Sequence, residues 1–131
     1  MKFVKTFALD AEFERACDQV LEAFREEGFG LLTTVDIQQV MRSKLQKEVT
    51  PYRIFGICNP QLADRALSVS PEVGVMLPCS VVVRADGSRV QVHVLSPTVV
   101  EDLSPEGPLK AVMAEADLRV EAAMERLGPK R

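Results

Sequence analysis

Hydrophobic and polar residues follow two different spacings in the first part of the chain. In residues 2–9 they alternate, and this period of two predicts a first strand. From Phe13 to Phe24 the apolar residues recur every three or four positions, which predicts an amphipathic helix. Asp10 is expected to cap this helix, because its carboxylate can accept hydrogen bonds from amides that the first turn leaves free. Gly28 is expected to follow the end of the helix.

The middle of the chain predicts two more strands, each followed by a short helix. Apolar runs from Phe29 to Val35 and from Tyr52 to Cys58 predict the strands. Asp36 stands where the first short helix needs a cap. Asn59-Pro60 provides a cap together with a first helical residue whose φ angle is already set, and therefore starts the second short helix.

The last part of the chain predicts a hairpin and a second long helix. Asp86-Gly87 is a strong turn signal between the strands predicted from Val75 to Arg84 and from Arg89 to Leu95. Residues 96–108 form a connector that is rich in proline and acidic residues. From Leu109 to Leu127 the apolar residues keep a helical spacing for about five turns.

These elements predict a single domain, residues 1–131, of the α+β class. The expected architecture is two-layered: a five-stranded, largely antiparallel sheet covered on one face by the two long helices, with two short inserted helices. A doubly wound parallel sheet is disfavoured, because the hairpin is tight and the short helices cannot serve as ordinary crossovers.

Composition and charge argue against two classes of partner. The net charge of −3 and the scattered basic residues disfavour nucleic acid. The chain shows no apolar run near the roughly 20 residues of a membrane span and no signal-peptide block, so we expect a cytoplasmic protein without a membrane partner. The three cysteines are then expected to be free thiols. A single asparagine and eight prolines favour thermostability, but a GC-rich genome would produce much the same bias.

A set of short motifs is spread over nearly the whole chain. They are Glu27-Gly28-Phe29-Gly30 with Asp36, Gly56-Ile57-Cys58-Asn59-Pro60 with Ala63 and Leu67, Pro71-Glu72-Val73-Gly74, Leu77-Pro78-Cys79 and Val81-Val82-Val83. This set resembles the prokaryotic family called "domain of unknown function 302". The resemblance implies an α+β fold of about this size and a homodimer, and it implies no established reaction.

Cys58 and Cys79 are the first candidates for chemistry. Each lies at a junction between a strand-like run and a proline-marked turn, an arrangement that can bring two thiols to one end of a sheet. Such a pair can bind a soft metal ion such as Cu(I) or Zn²⁺, or form a reversible disulfide. Both can equally be small buried hydrophobic residues, and neither a Cys-x-x-Cys motif nor a further ligand at metal spacing accompanies them.

Other chemical groups are more isolated along the chain. His93, the single histidine, can act as a ligand or a general base, but a solvent-facing strand position requires no function. Arg53, Arg84 and Arg89 can gather on one face of the sheet to hold an anionic ligand, or can simply be solvated. Cys17 lies in the apolar stripe of the first long helix and is expected to pack in the core.

The sequence therefore predicts a homodimer that binds a small ligand or an ion and carries no recognisable catalytic motif. The dimer has its own physical basis, because two long helices can cover only one face of the sheet. The expected site residues are Cys58, Asn59, Cys79 and His93, with Cys58 and Cys79 as the ligands of any metal. The alternative is a thiol-dependent redox or soft-metal-binding protein that uses the same two cysteines. A pure interaction module is a third reading, and the sequence identifies no cofactor and leaves enzymatic activity open.

Overall fold

The computed structural model describes residues 3–97, 99 and 107–128, and these residues follow the expected order of strands and helices. In chain order the elements include β1 (Val4–Leu9), α1 (Phe13–Arg25), β2 (Gly30–Asp36), α2 (Ile37–Leu45), β3 (Tyr52–Cys58), α3 (Pro60–Val69), a 3₁₀ helix (Pro71–Met76), β4 (Cys79–Asp86), β5 (Arg89–Leu95) and α4 (Gly107–Arg126). None of the helices within these residues is long and apolar enough to cross a membrane.

The five strands form one sheet in the order β1-β5-β4-β3-β2, and every neighbouring pair is antiparallel. The tight turn after Asp86 joins β4 to β5, as the Asp86-Gly87 pair predicts. Because β1 and β2 form opposite edges of the sheet, α1 connects the two edges. The α+β fold and the antiparallel sheet are confirmed.

Strand alternation gives the sheet one buried face and one more open face. On the face that contacts the long helices, Phe55, Val83 and Val92 are at most 3% exposed and join one core cluster with Val20 of α1 and Val120 of α4. We call the opposite side the outer face. A row of directly paired residues crosses it, formed by Val35, Ile54, Val82, His93 and Thr6.

A second, smaller core cluster lies beside the first. It joins Leu62 and Ala66 of α3 and Val73 of the 3₁₀ helix to Val112 and Met113 of α4. The N-terminal half of α4 therefore packs against α3, while its C-terminal half packs in the larger cluster. The two clusters therefore meet along α4, beside one end of the sheet.

The structure confirms the predicted cap of α2 and corrects the predicted cap of α1. Asp36 caps α2, since its Oδ1 accepts from the amide of Gln39 at 3.0 Å. The expected cap at Asp10 was wrong: α1 begins later, and Glu12 accepts from the amides of Glu14 and Arg15. Asp10 directly follows β1, which pairs with the start of β5, and it therefore lies beside Arg89 and forms an ion pair with it at 2.8 Å.

The expected start of the fourth strand at Val75 was also wrong. The segment before it forms the 3₁₀ helix Pro71–Met76, and β4 begins at Cys79. Pro78 has no amide hydrogen, so strand pairing begins after it. Most of the predicted acidic connector, with Glu101, Asp102 and Glu106, lies outside the described residues.

Candidate functional site

A cavity of about 70 Å³ lies where one end of the sheet meets the helices of the second cluster. From the sheet side it is lined by Phe29, Ile57, Cys58, Cys79 and Leu95. From the helical side it is lined by residues that include Leu62, Ala66, Val73, Met76 and Met113. Among the described lining residues none carries a charge, and Asn59 contributes the one side-chain amide.

Asn59 forms a corner of the cavity and holds three segments together. It is 8% exposed, and its Oδ1 accepts from the amide of Leu62 at 3.2 Å, which caps α3 as predicted. Its Nδ2 donates to the carbonyl of Glu27 at 3.3 Å. Gly28 has φ +88°, and a Cβ atom there would lie 2.8 Å from Asn59 Nδ2. A glycine is therefore needed for the turn after α1 to approach Asn59.

Two thiols line the cavity, and both favour the protonated form. Cys79 is opposite Ile57 in the β3–β4 pairing, and its Sγ lies 3.8 Å from the carbonyl oxygen of Leu95. Burial, with a smaller contribution from the charge of Cys58, raises the pKa of Cys79 to about 12. Burial also raises the pKa of Cys58. At neutral pH neither sulfur is therefore the thiolate that nucleophilic attack requires.

The structure brings together three of the four site residues expected from the sequence. Cys58, Asn59 and Cys79 line the same cavity. His93 is not among the residues that line it. Instead, His93 lies on the outer face, with Nδ1 2.9 Å from Thr6 Oγ1 and Nε2 3.0 Å from Arg84 Nε.

The three strand arginines do not gather on one face. Arg53 points toward the helices, where it pairs with Glu14 at 2.6 Å and lies over the ring of Phe13. Arg89 is paired with Asp10. Arg84 is on the outer face with His93, so the anion site suggested for the three together is not formed.

The described part of the chain contains no group of three or more histidine, cysteine, aspartate or glutamate side chains arranged to hold a metal ion. The three cysteines are free thiols. Cys17 is 3% exposed in the larger core cluster, as expected from its place in the helical stripe. Its burial raises its pKa to about 11.

Sequence reasoning missed the helical wall of the cavity. Met76, Met113 and Ala116 follow patterns that predict core positions, and nothing in the spacing shows that their packing leaves a space. Small residues were the available signal, since Ala66 and Ala116 come from different helices and line the same cavity. Small side chains at facing positions leave volume that larger ones would fill.

Comparison with known proteins agrees with this architecture. A crystal structure of an "uncharacterized conserved protein DUF302 from Bacillus stearothermophilus" superposes with a TM-score of 0.88 at 26% sequence identity. The match covers 98% of this chain and 100% of that one. A search of curated proteins finds no match. The family model described as "Domain of unknown function DUF302" matches residues 5–127. The chain therefore belongs to the DUF302 family.

Proposed function

We propose that the protein binds a small, uncharged aliphatic group in the cavity between the sheet and the second core cluster. The observation that carries this proposal is the chemistry of the cavity wall, which is almost entirely apolar. Asn59 already uses its Oδ1 and its Nδ2 within the protein. An apolar ligand gives up no hydrogen bonds to water when it enters such a site. A charged ligand would lose its hydration and would find no charged or hydrogen-bonding partner in exchange.

The size of the cavity restricts what can enter. At about 70 Å³ it has about half the volume of a ~150 Å³ engineered cavity that binds benzene or xenon in another protein. A single xenon atom or a group of a few carbon atoms is a suitable occupant. Half-buried residues, among them Cys58, Leu77 and Pro97, form part of the wall. Met76 and Met113 have flexible side chains that can adapt to the shape of a ligand.

The cavity chemistry favours this function over the thiol-dependent alternative. The raised pKa of Cys79, about 12, keeps this thiol protonated at neutral pH and so opposes redox chemistry through its thiolate. A thiol reagent distinguishes the two. An apolar site predicts slow labelling of both Cys58 and Cys79 in the native protein at pH 7, whereas fast and selective labelling of either would favour the alternative.

Xenon binding followed through methionine methyl signals tests the proposal. Met76 and Met113 line the cavity, whereas Met41 lies on α2 and provides an internal reference. We expect saturable shifts for the two cavity methionines and none for Met41. Equal or non-saturable shifts for all three would contradict a specific site.

A cavity-filling variant sharpens this test. Ala66 is fully buried and lines the cavity, so Ala66→Val should weaken xenon binding at least about tenfold by occupying part of the space. Ala23→Val is the matched control, because Ala23 is also buried but belongs to α1 and does not line the cavity. Equal binding by Ala66→Val and the wild type would show that xenon occupies another place.

We also propose that the protein is a homodimer. Five of the exposed large apolar residues lie in β2 and α2, namely Leu31, Leu32, Val35, Val40 and Leu45. Leu32 and Leu45 are 62% and 64% exposed. Because β2 is an edge strand, it also presents backbone groups that another strand can pair with. These features support an interface at the β2 edge rather than over the whole outer face.

Sedimentation velocity over a range of concentrations tests the dimer. We expect a dimer for the wild type and a monomer for Leu32→Lys, since a charge there opposes burial of the edge. Leu118→Lys is the control, because Leu118 is 70% exposed and belongs to α4, which contributes nothing to the proposed interface of β2 and α2. A monomer at every concentration would refute the proposal.

Two further properties remain proposals. The three free thiols support residence in the reducing cytoplasm, and cell fractionation tests this. Thermostability rests on composition alone, and a melting temperature above that of ordinary mesophilic domains, about 45–65 °C, would support it.

A further inference from the structure

Arg84 is a half-buried cation on the outer face whose charge is not neutralised within the described chain. It lies in β4, the central strand of the sheet. Its one hydrogen bond to a described residue runs from Nε to His93 Nε2 at 3.0 Å. No carboxylate among the described residues lies within ion-pair distance of it. The two terminal guanidinium nitrogens therefore remain available as parallel donors.

A chain of hydrogen bonds fixes the orientation of this guanidinium. Since Arg84 Nε can only donate, His93 Nε2 must accept and carry no proton. The neutral ring then carries its proton on Nδ1 and donates it to Thr6 Oγ1 at 2.9 Å. Burial and the charge of Arg84 lower the pKa of His93, which agrees with this neutral form. Thr6 and His93 thus hold Arg84 through its Nε and leave the terminal N–H groups at the end of the guanidinium for another acceptor.

The neighbouring strands add a second donor and an apolar surface. Tyr52 is the direct partner of Arg84 on β3, so both lie on the outer face. The Tyr52 hydroxyl makes no hydrogen bond to any residue in the described ranges. The adjacent row presents the half-buried side chains of Ile54 and Val82. Asp86 also shares this face, but it accepts from Gln91 Nε2 at 3.2 Å and makes no ion pair with Arg84.

We propose that the outer face binds a small organic acid through its carboxylate group. Arg84 provides two parallel N–H groups for the two carboxylate oxygens, and the apolar body of the acid lies over Ile54 and Val82. Tyr52 is the second donor, and His93 and Thr6 are positioning residues. A single cation with one paired set of donors matches a monoanionic carboxylate better than a phosphate dianion, which has more oxygens to satisfy.

Benzoate is a suitable probe, and His93 reports its binding. Because the chain has a single histidine, its ring proton signals are unambiguous in an NMR titration. We expect a saturable shift with benzoate and none with benzyl alcohol, which has the same ring without the charge. Absence of a saturable shift, an equal response to benzyl alcohol, or tighter binding of inorganic phosphate would each overturn the proposal.

Variants at Arg84 identify the charge partner. Arg84→Met keeps an apolar stem without the guanidinium and should weaken benzoate binding at least about tenfold. Arg84→Lys keeps the positive charge but lacks the two parallel N–H groups, and it should bind benzoate with intermediate affinity. This variant preserves the test if Arg84→Met does not fold. The control is Arg15→Met, because Arg15 is an exposed arginine of α1. Wild-type affinity in both Arg84 variants would overturn the assignment.

Thr6 tests whether the hydrogen-bond chain positions Arg84. Thr6→Val removes the hydroxyl and should weaken benzoate binding several-fold. Thr6→Ser keeps the hydroxyl and should bind benzoate with nearly the affinity of the wild type. Equal loss in both variants would show that Thr6 acts through packing alone. Arg84, Tyr52, His93 and Thr6 are absent from the cavity wall, so the xenon result and the benzoate result are independent.

Discussion

Asn59 connects three parts of the molecule through one side chain. Its Oδ1 caps α3, its Nδ2 holds the turn after α1 through the Glu27 carbonyl, and the residue also lines the cavity. Of these roles only the cap could be predicted from the sequence, because Asn59-Pro60 is a local pattern. The bond to Glu27 joins residues 32 positions apart, and no local pattern indicates it.

Replacement of Asn59 should therefore cost more than the loss of an ordinary helix cap. We expect Asn59→Ala to lower the free energy of unfolding by about 2 kcal/mol, from the lost cap and from the weakened hydrogen bonding of the partly buried Glu27 carbonyl. Urea denaturation measures this. Asp36→Ala removes an exposed cap of the same kind and should cost about 1 kcal/mol or less. Equal costs for the two variants would show that the bond to Glu27 contributes little.

The ionisation of His93 should make stability depend on pH in a narrow window. Its pKa is lowered in the folded state by burial and by the charge of Arg84. The unfolded chain, with a histidine pKa of about 6.5, therefore binds a proton more readily than the native protein below that pH. The contribution of His93 to the free energy of unfolding is therefore full above about pH 6.5. It is lost as the pH falls from there through the lower pKa of the folded state.

Urea denaturation between pH 7.5 and 5.5 should show this loss, and an NMR titration of the ring should give a pKa below about 6.5. Arg84→Met should move the pKa of His93 upward, because it removes the neighbouring positive charge. A wild-type pKa above the ordinary value would contradict the Arg84–His93 hydrogen bond.

At the scale of the elements, β2, β3 and the segment before β4 pack closely around Gly56. A Cβ atom at this position would meet Thr33 Oγ1 from β2 and would lie 2.6 Å from Pro78 Cγ. Gly56 is buried in the middle of the paired strands, and the rigid Pro78 ring cannot relieve the contact by rotating a side chain. The close packing of these three segments requires a residue without a side chain.

Gly56→Ala should accordingly lower the free energy of unfolding by about 1–3 kcal/mol through overpacking. Gly30→Ala is the matched control, because Gly30 lies in the paired strand β2 and an added Cβ atom would meet nothing within 4 Å. We expect that variant to be as stable as the wild type or slightly more stable, since alanine restricts the unfolded chain. Thermal denaturation of both proteins checks the difference, and equal stabilities would refute the steric argument.

The boundaries of elements were predictable where one residue type controls them. Asp36 and Asn59 begin helices because their side chains reach amides three residues ahead. Asp10 has the same chemistry, but the helix starts beyond its reach, and the choice between Asp10 and Glu12 depends on how β1 pairs with β5. The start of β4 likewise depends on pairing with β3, which the apolar residues before Pro78 do not reveal.

At the scale of the whole molecule, the candidate sites depend on strand register. The strand ends place Cys58 and Cys79 at one end of the sheet, and this was predictable because both follow strand-like runs next to prolines. That His93 lies beside Arg84 and Thr6 follows from the register of β1, β4 and β5. Register is a long-range property, so the sequence identifies these residues as candidates and cannot assign their neighbours.

The two core clusters differ in size, and the cavity lies between them. The larger cluster contains sixteen buried residues of the described chain, and the smaller one contains seven. Since local stability follows buried apolar contact, the smaller cluster should open more easily than the sheet. Such an opening would separate α3 from α4 and give a ligand access to the cavity.

Hydrogen exchange should therefore be faster in α3 than in β4 under native conditions. We expect amides of α3 to open with a free energy below that of global unfolding, while amides of β4 open near the global value. Leu62→Ala should accelerate exchange in α3 and leave β4 nearly unchanged, because Leu62 belongs to the smaller cluster. Val83→Ala should accelerate both, since Val83 is fully buried in the larger cluster. Equal protection of α3 and β4 in the wild type would show that the two clusters unfold as one unit, and entry of a ligand would then require another route.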